Sequence, residues 1–161
     1  MTMAKGMYCL FFCGVLSSPA QAVGDVDMLF HGTLIEPPPC TINGDKPIEV
    51  EFNEVITTRV GGTNYRLPVN YTLVCNGAPS YAMKMQVQGT GAAFDASVLK
   101  TNVTGLGVAL HRVGEKVPIN TWMNFTYPNS PKLWALPVKQ SGITLSAGEF
   151  TAGATMQVEY Q

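Results

Sequence analysis

The chain has 161 residues, with eleven Asp plus Glu against ten Lys plus Arg and a net charge of −1 at pH 7. No basic stripe is available to neutralise phosphates, so nucleic acid is disfavoured as a partner. Charged residues make up 13% and hydrophobic residues 46%, with 16 Gly and 11 Pro. That is the composition of short strands joined by turns.

Lys5 supplies a positive start, Met7 to Leu16 is an apolar run, and Ala20-Gln21-Ala22 is a small-x-small cleavage site. Residues 1–22 are therefore expected to be a signal peptide removed on export, because a membrane-spanning helix needs roughly 20 apolar residues. Cleavage would remove Cys9 and Cys13 and leave Cys40 and Cys75. Two cysteines in an oxidising compartment predict one disulfide, and their spacing is unlike the C-x-x-C pairs of metal sites. Closing that loop should stabilise the fold by about 4 kcal/mol on the chain-entropy model.

Next comes an arm, residues 23–36, in which Val26, Met28, Phe30, Gly32 and Leu34 fall on one face at the strand period of two. Gly32 sits within that face, where a missing side chain would suit close backbone approach. Pro37-Pro38-Pro39 then stops ladder pairing and stiffens the exit from the arm. Residues 37–161 read as the folded domain.

Within the domain, strands are predicted around Ile48, Val50, Phe52 and Val55; from Val69 through Tyr71 and Leu73 to Cys75; and along Met83, Met85 and Val87. Others are predicted along Leu106, Val108 and Leu110, and over Trp134 to Val138. Asn-Gly, Gly-Gly and Gly-Thr-Gly turns punctuate them. Pro137 hints at an edge or bulge. Strands at this spacing indicate an immunoglobulin-like β-sandwich. The final run, Gly148 to Gln161, alternates Ala154, Met156, Val158 and Tyr160 against Thr155, Gln157 and Glu159. An apolar terminal strand of this kind needs a neighbour, since an unpaired edge is a template for association.

Catalytic constellations are absent: no residue is assigned a catalytic, metal-ligating or cofactor-binding role. His31 and His111 sit in no ligand motif, Ser97 and Ser141 lack a G-x-S-x-G setting, and Gly105-Leu106-Gly107 reads as a turn into a strand. Asn70, Asn102 and Asn124 open N-x-[ST] triplets that read as coincidence. Trp122, Phe125 and Tyr127 cluster in a Pro- and Asn-containing loop that could pack the end of the sandwich or form a sugar-binding platform.

Taken in order, several features resemble the pilus subunits of the bacterial chaperone-usher pathway, over the whole chain after residue 22. They are D-V-D-M-L-F-H-G-T-L leading into P-P-C-T-I, Cys75 closing N-Y-T-L-V-C, G-L-G-V-A-L, Gly148 fourteenth from the end, and penultimate Tyr160. The resemblance implies an all-β, incomplete immunoglobulin-like sandwich lacking its last strand and completed by donor-strand complementation. It implies that Val26, Met28, Phe30, Gly32 and Leu34 form a donor strand for an adjacent subunit. Met156, Val158 and Tyr160 would line or flank this subunit's own groove, Gln161 would anchor its carboxylate on a periplasmic chaperone, and Gly148 would open the terminal motif. An outer-membrane usher and adjacent pilus subunits are the further partners implied. The product would be exported through the periplasm to a surface fimbrium, touching a host receptor only indirectly, through the tip adhesin. The stretch F-H-G-T-L-I-E-P-P-P-C is closer to minor or adaptor subunits of P-pilus-like systems than to rod pilins. The rival expectation is a self-contained β-sandwich that binds carbohydrate through Trp122, Phe125 or Tyr127 and does not polymerise; a terminator at the fibre base is a third.

Overall fold

The computed structural model describes residues 27–34, 40–77 and 80–161. The signal segment, Val26 and the Pro37-Pro38-Pro39 run lie outside them. The chain divides into two units, Met1–Ile35 and Glu36–Gln161.

In the first unit, residues 27–34 form no strand, and every one of them is exposed. Met28, Phe30 and Leu34 retain 75%, 84% and 102% of their accessible surface. An alternating segment with no ladder partner has no means of burying its apolar face.

The second unit is all-β. Its strands are β1 (Cys40–Ile42), β2 (Leu67–Val69), β3 (Leu73–Cys75), β4 (Ala82–Gly89), β5 (Gly91–Ala92), β6 (Asp95–Lys100), β7 (Leu106–Arg112), β8 (Glu115–Val117), β9 (Met123–Thr126), β10 (Leu133–Lys139) and β11 (Ala154–Tyr160). Helix among the described residues is confined to two single 3-10 turns, Asn43–Asp45 and Thr57–Arg59. One sheet runs β2-β10-β7-β6-β5 with β8 paired to β7; a second runs β11-β4-β9; β1 and β3 form a two-stranded ladder.

Period-two patterning places the core between the two larger sheets. Met83 and Met85 of β4 are fully buried and join Met123 and Phe125 of β9 on one side and Leu99, Val108, Leu110, Leu133 and Ala135 on the other. β7 is buried on both faces, because Ala109 packs outward with Ala92 and Val98 in a separate cluster. Gly107 permits this close approach: a Cβ there would meet Val98 Cγ2 at 2.8 Å and the Leu99 carbonyl at 3.0 Å. Gly105, at φ 77°, turns the chain into β7, as its sequence context predicts.

Three predicted elements are corrected. The run from Val69 to Cys75 is two strands, not one: β2 pairs β10 whereas β3 pairs β1. The chain changes sheet at Asn70 to Thr72, as strands do at sandwich corners. The segment 46–56 forms no strand. Its Val50 and Phe52 pack against the core, but a ladder needs a hydrogen-bonded neighbour, and among the described residues none is there. The stretch Trp122 to Tyr127 is largely the strand β9, which pairs with β4. Phe125 is therefore turned into the core at 9% exposure, Tyr127 packs on the same core, and no shared aromatic platform forms.

Pro137 lies in β10, which has neighbours on both sides. Pairing with β2 ends at Ala135, so opposite Pro137 only β7 is present. A residue without an N–H is tolerated where one side of the strand is free.

Candidate functional site: the groove beside the terminal strand

β11 pairs with β4 along its whole length. Thr155, Gln157 and Glu159 stand opposite Gln88, Gln86 and Lys84, while Met156, Val158 and Tyr160 stand opposite Val87, Met85 and Met83. The outer pairs lock this register: Lys84 Nζ lies 2.9 Å from Glu159 Oε2, and Gln86 Nε2 donates to Gln157 Oε1 at 2.7 Å. A slip of one residue would turn every apolar side chain outward. Pairing continues past the strand, where the Gln161 N–H donates to the Ala82 carbonyl at 3.0 Å.

The other edge of β11 has no strand neighbour among the described residues. Beside it runs an apolar groove of about 500 Å³. Ile48, Val50 and Phe52 form one wall, Phe150, Ala154 and Met156 the other, and core side chains such as Leu110 and Leu133 the floor. The groove is thus a part of the core left uncovered.

Of the residues expected at the groove, Met156 lines it. Val158 and Tyr160 are half-buried and pack against the same core, but beyond the lining. Gly148 lies upstream of β11, at φ 147°, a backbone conformation open mainly to glycine. Gln161 closes the chain beside Ala82. Sequence reasoning missed Phe150 and the wall at Ile48 to Phe52 as groove residues. The alternation of Ile48, Val50 and Phe52 was visible, but not the lack of a partner that makes them a wall.

Cys40 and Cys75 are opposite one another in the β1–β3 ladder and form a disulfide, with Cα atoms 4.2 Å apart. The Tyr160 hydroxyl donates to Cys40 Sγ at 3.3 Å. The bridge, the terminal strand and the fully buried Met83 therefore share one end of the core. Nearby, the Tyr71 hydroxyl donates to the Pro131 carbonyl. Burial raises the Tyr71 phenol above its ordinary range, and a hydrogen bond with Ser130 and the Arg112 charge offset part of that shift.

Among the described residues no group of His, Cys, Asp or Glu is arranged to hold a metal. Asp95 is the one strongly perturbed carboxylate there. Hydrogen bonds from Lys116 Nζ at 2.6 Å and from Ser97 hold it well below the usual carboxylate range. It belongs to a solvent-facing ion pair on the β6–β8 side.

An all-β, immunoglobulin-like sandwich that lacks its last strand, open where that strand would run, defines an incomplete β-domain as the class. The fimbrial protein family profile matches residues 28–161, and the chain belongs to that family. It is similar to the fimbrial-like protein YfcR of Escherichia coli (strain K12), with 40% identity over 158 residues, covering 94% of this chain and 91% of the relative. Its fold is that of the P pilus adaptor subunit PapF, with a TM-score of 0.60 and 22% identity over 78% of this chain and 98% of that one. The P pilus rod subunit PapA gives a TM-score of 0.63 at 22% identity, over 76% and 99%. The chain is a structural fimbrial subunit of the cell surface, and the family is not enzymatic.

Proposed function

We propose that this subunit polymerises by donor-strand exchange, with its groove accepting an extended segment of another subunit and its own residues 23–36 completing the next. The apolar groove of about 500 Å³ beside β11, on the side where no strand pairs with it among the described residues, carries this reading. Strand addition would satisfy that edge with main-chain hydrogen bonds, and alternate side chains would fill the groove. The donor residues are Val26, Met28, Phe30, Gly32 and Leu34. Burying the four large ones contributes on the order of 6 to 12 kcal/mol before ordering costs. Donor and acceptor lie in different parts of the chain, so the contact is head-to-tail and extends into a fibre.

In this scheme residues 1–22 direct export and are removed, residues 23–36 are the donor extension, and residues 37–161 are the pilin domain. A periplasmic chaperone holds the groove and the Gln161 carboxylate until an outer-membrane usher passes the subunit on. Met156 lines the acceptor, Val158 and Tyr160 flank it, and Gly148 opens the terminal motif. Adaptor and rod subunits share the fold, so the position in the fibre rests on sequence. The stretch Phe30 to Cys40 favours a minor or adaptor subunit that serves adhesion through the tip adhesin.

The test is challenge of the chaperone-bound subunit with a peptide spanning residues 23–36. Release of the chaperone and a higher unfolding temperature are expected. A stable chaperone-free monomer that ignores the peptide would show that the fold is already complete.

A further inference from the structure

The groove is bridged by an aromatic contact. Phe52 on one wall and Phe150 on the other meet with ring centroids 5.8 Å apart and planes inclined by 33°, and both line the groove. A strand seated between these walls would have to separate the two rings.

The walls are held unequally. Phe150 is fixed from outside the groove by Asn102, whose Nδ2 donates to the Glu149 carbonyl at 3.2 Å and whose Oδ1 accepts from the Thr151 N–H at 2.7 Å. The Asn102 N–H adds a bond to the Thr151 carbonyl at 3.3 Å. Three hydrogen bonds from one residue thus bracket Phe150. On the opposite wall, residues 48–55 make no hydrogen bond among the described residues, and the nearest lie at Asn43 to Pro47 and at Ile56. Side-chain packing alone holds Phe52, and Asn53 just after it adopts φ 51°, a local turn in an otherwise unpaired segment. Backbone that is free of ladder bonds opens at low cost compared with clamped backbone.

We infer that Phe52 and Phe150 form a latch across the groove, in which residues 48–55 swing aside on strand insertion while Asn102 keeps Phe150 in place. The inference rests on the reading of the groove as a strand acceptor, with residues 23–36 of another subunit as the occupant. Phe52 and Asn102 are then positioning residues that set how fast the groove fills. The N–H and C=O groups of residues 48–55, which have no partner among the described residues, become available to the incoming strand as the wall moves.

The experiment follows association of a fluorescent peptide of residues 23–36 with the full oxidised chain at submicromolar concentration. Wild type is compared with Phe52→Leu, Phe150→Leu and the double variant. Leucine keeps apolar volume while removing the ring pair, which limits damage to folding. Each single variant should associate about two- to tenfold faster, the range expected for loss of one aromatic contact, and the double variant little faster than either. Hydrogen exchange on the peptide-free wild type adds a readout independent of the variants: residues 48–55 should exchange faster than 149–151. Equal association rates with normal peptide binding would overturn the latch alone. Slower exchange at 48–55 than at 149–151 would overturn the swinging wall. No peptide binding by any form would overturn the acceptor reading and the latch with it.

Discussion

The hydroxyl of Tyr160 donates to the disulfide sulfur of Cys40 at 3.3 Å, across a separation of 120 residues. The end of the terminal strand is thereby attached to the β1–β3 ladder, at the end of the core that the two share. Since Tyr160 also stands opposite Met83 in β4, the aromatic ring completes the core where β11 finishes. Removing the ring should cost more than removing the hydroxyl. We expect Tyr160→Phe to destabilise by about 0.5 kcal/mol, the low end for a hydrogen bond. Tyr160→Ala should cost about 2 kcal/mol, below the range for a fully buried aromatic. Urea unfolding of both variants checks the order.

Asn102 makes both of its side-chain hydrogen bonds to the backbone on either side of Phe150. Asn102→Ala should destabilise the chain by about 1 to 2 kcal/mol, because two backbone groups lose partners. It should also raise amide exchange at residues 149–151 without changing exchange in β4. Exchange rising equally in both places would indicate global destabilisation, not a local clamp.

Tyr71 gives an alkaline dependence. Its folded phenol is raised, chiefly by burial, while the unfolded phenol ionises near pH 10. Its contribution is therefore complete below about pH 10 and is lost as pH rises beyond it, because the unfolded chain releases the proton first. Tyr71→Phe should unfold less steeply with pH above about 10, and at neutral pH it should lose about 1 kcal/mol for the bond to the Pro131 carbonyl. Thermal melts between pH 7 and 11 separate the two effects.

Asp95 gives the opposite limb. Lys116 and Ser97 depress its carboxyl, so the associated stability is present above the unfolded value near 3.9 and is lost as pH falls below it. Asp95→Asn should therefore show a shallower loss of stability than wild type between pH 5 and 2. The pair is exposed to solvent, and raising the salt concentration should shrink the difference.

Much of this protein could be read in its sequence by itself. Alternation at Met83, Met85 and Val87 and again at Met156, Val158 and Tyr160 is local, because a strand's two faces are set by adjacent residues. The polar partners Lys84, Gln86, Glu159 and Gln157 follow from the same period. Cys40 and Cys75, the two cysteines outside the expected signal segment, were enough to predict their bridge. The order of motifs along the chain pointed to a fimbrial subunit. What the tertiary structure decided is which strands have neighbours. Val69 to Cys75 reads as one strand and serves two sheets; Phe125 reads as loop, able to pack the sandwich end or face a ligand, and lies on a strand in the core; Ile48 to Phe52 reads as a strand and has no ladder partner among the described residues. Each depends on what lies across the sheet or the groove, and hydrogen-bond partners distant in sequence leave no trace in local periodicity. The contact between Phe52 and Phe150, 98 positions apart by number, joins two segments that no local periodicity connects.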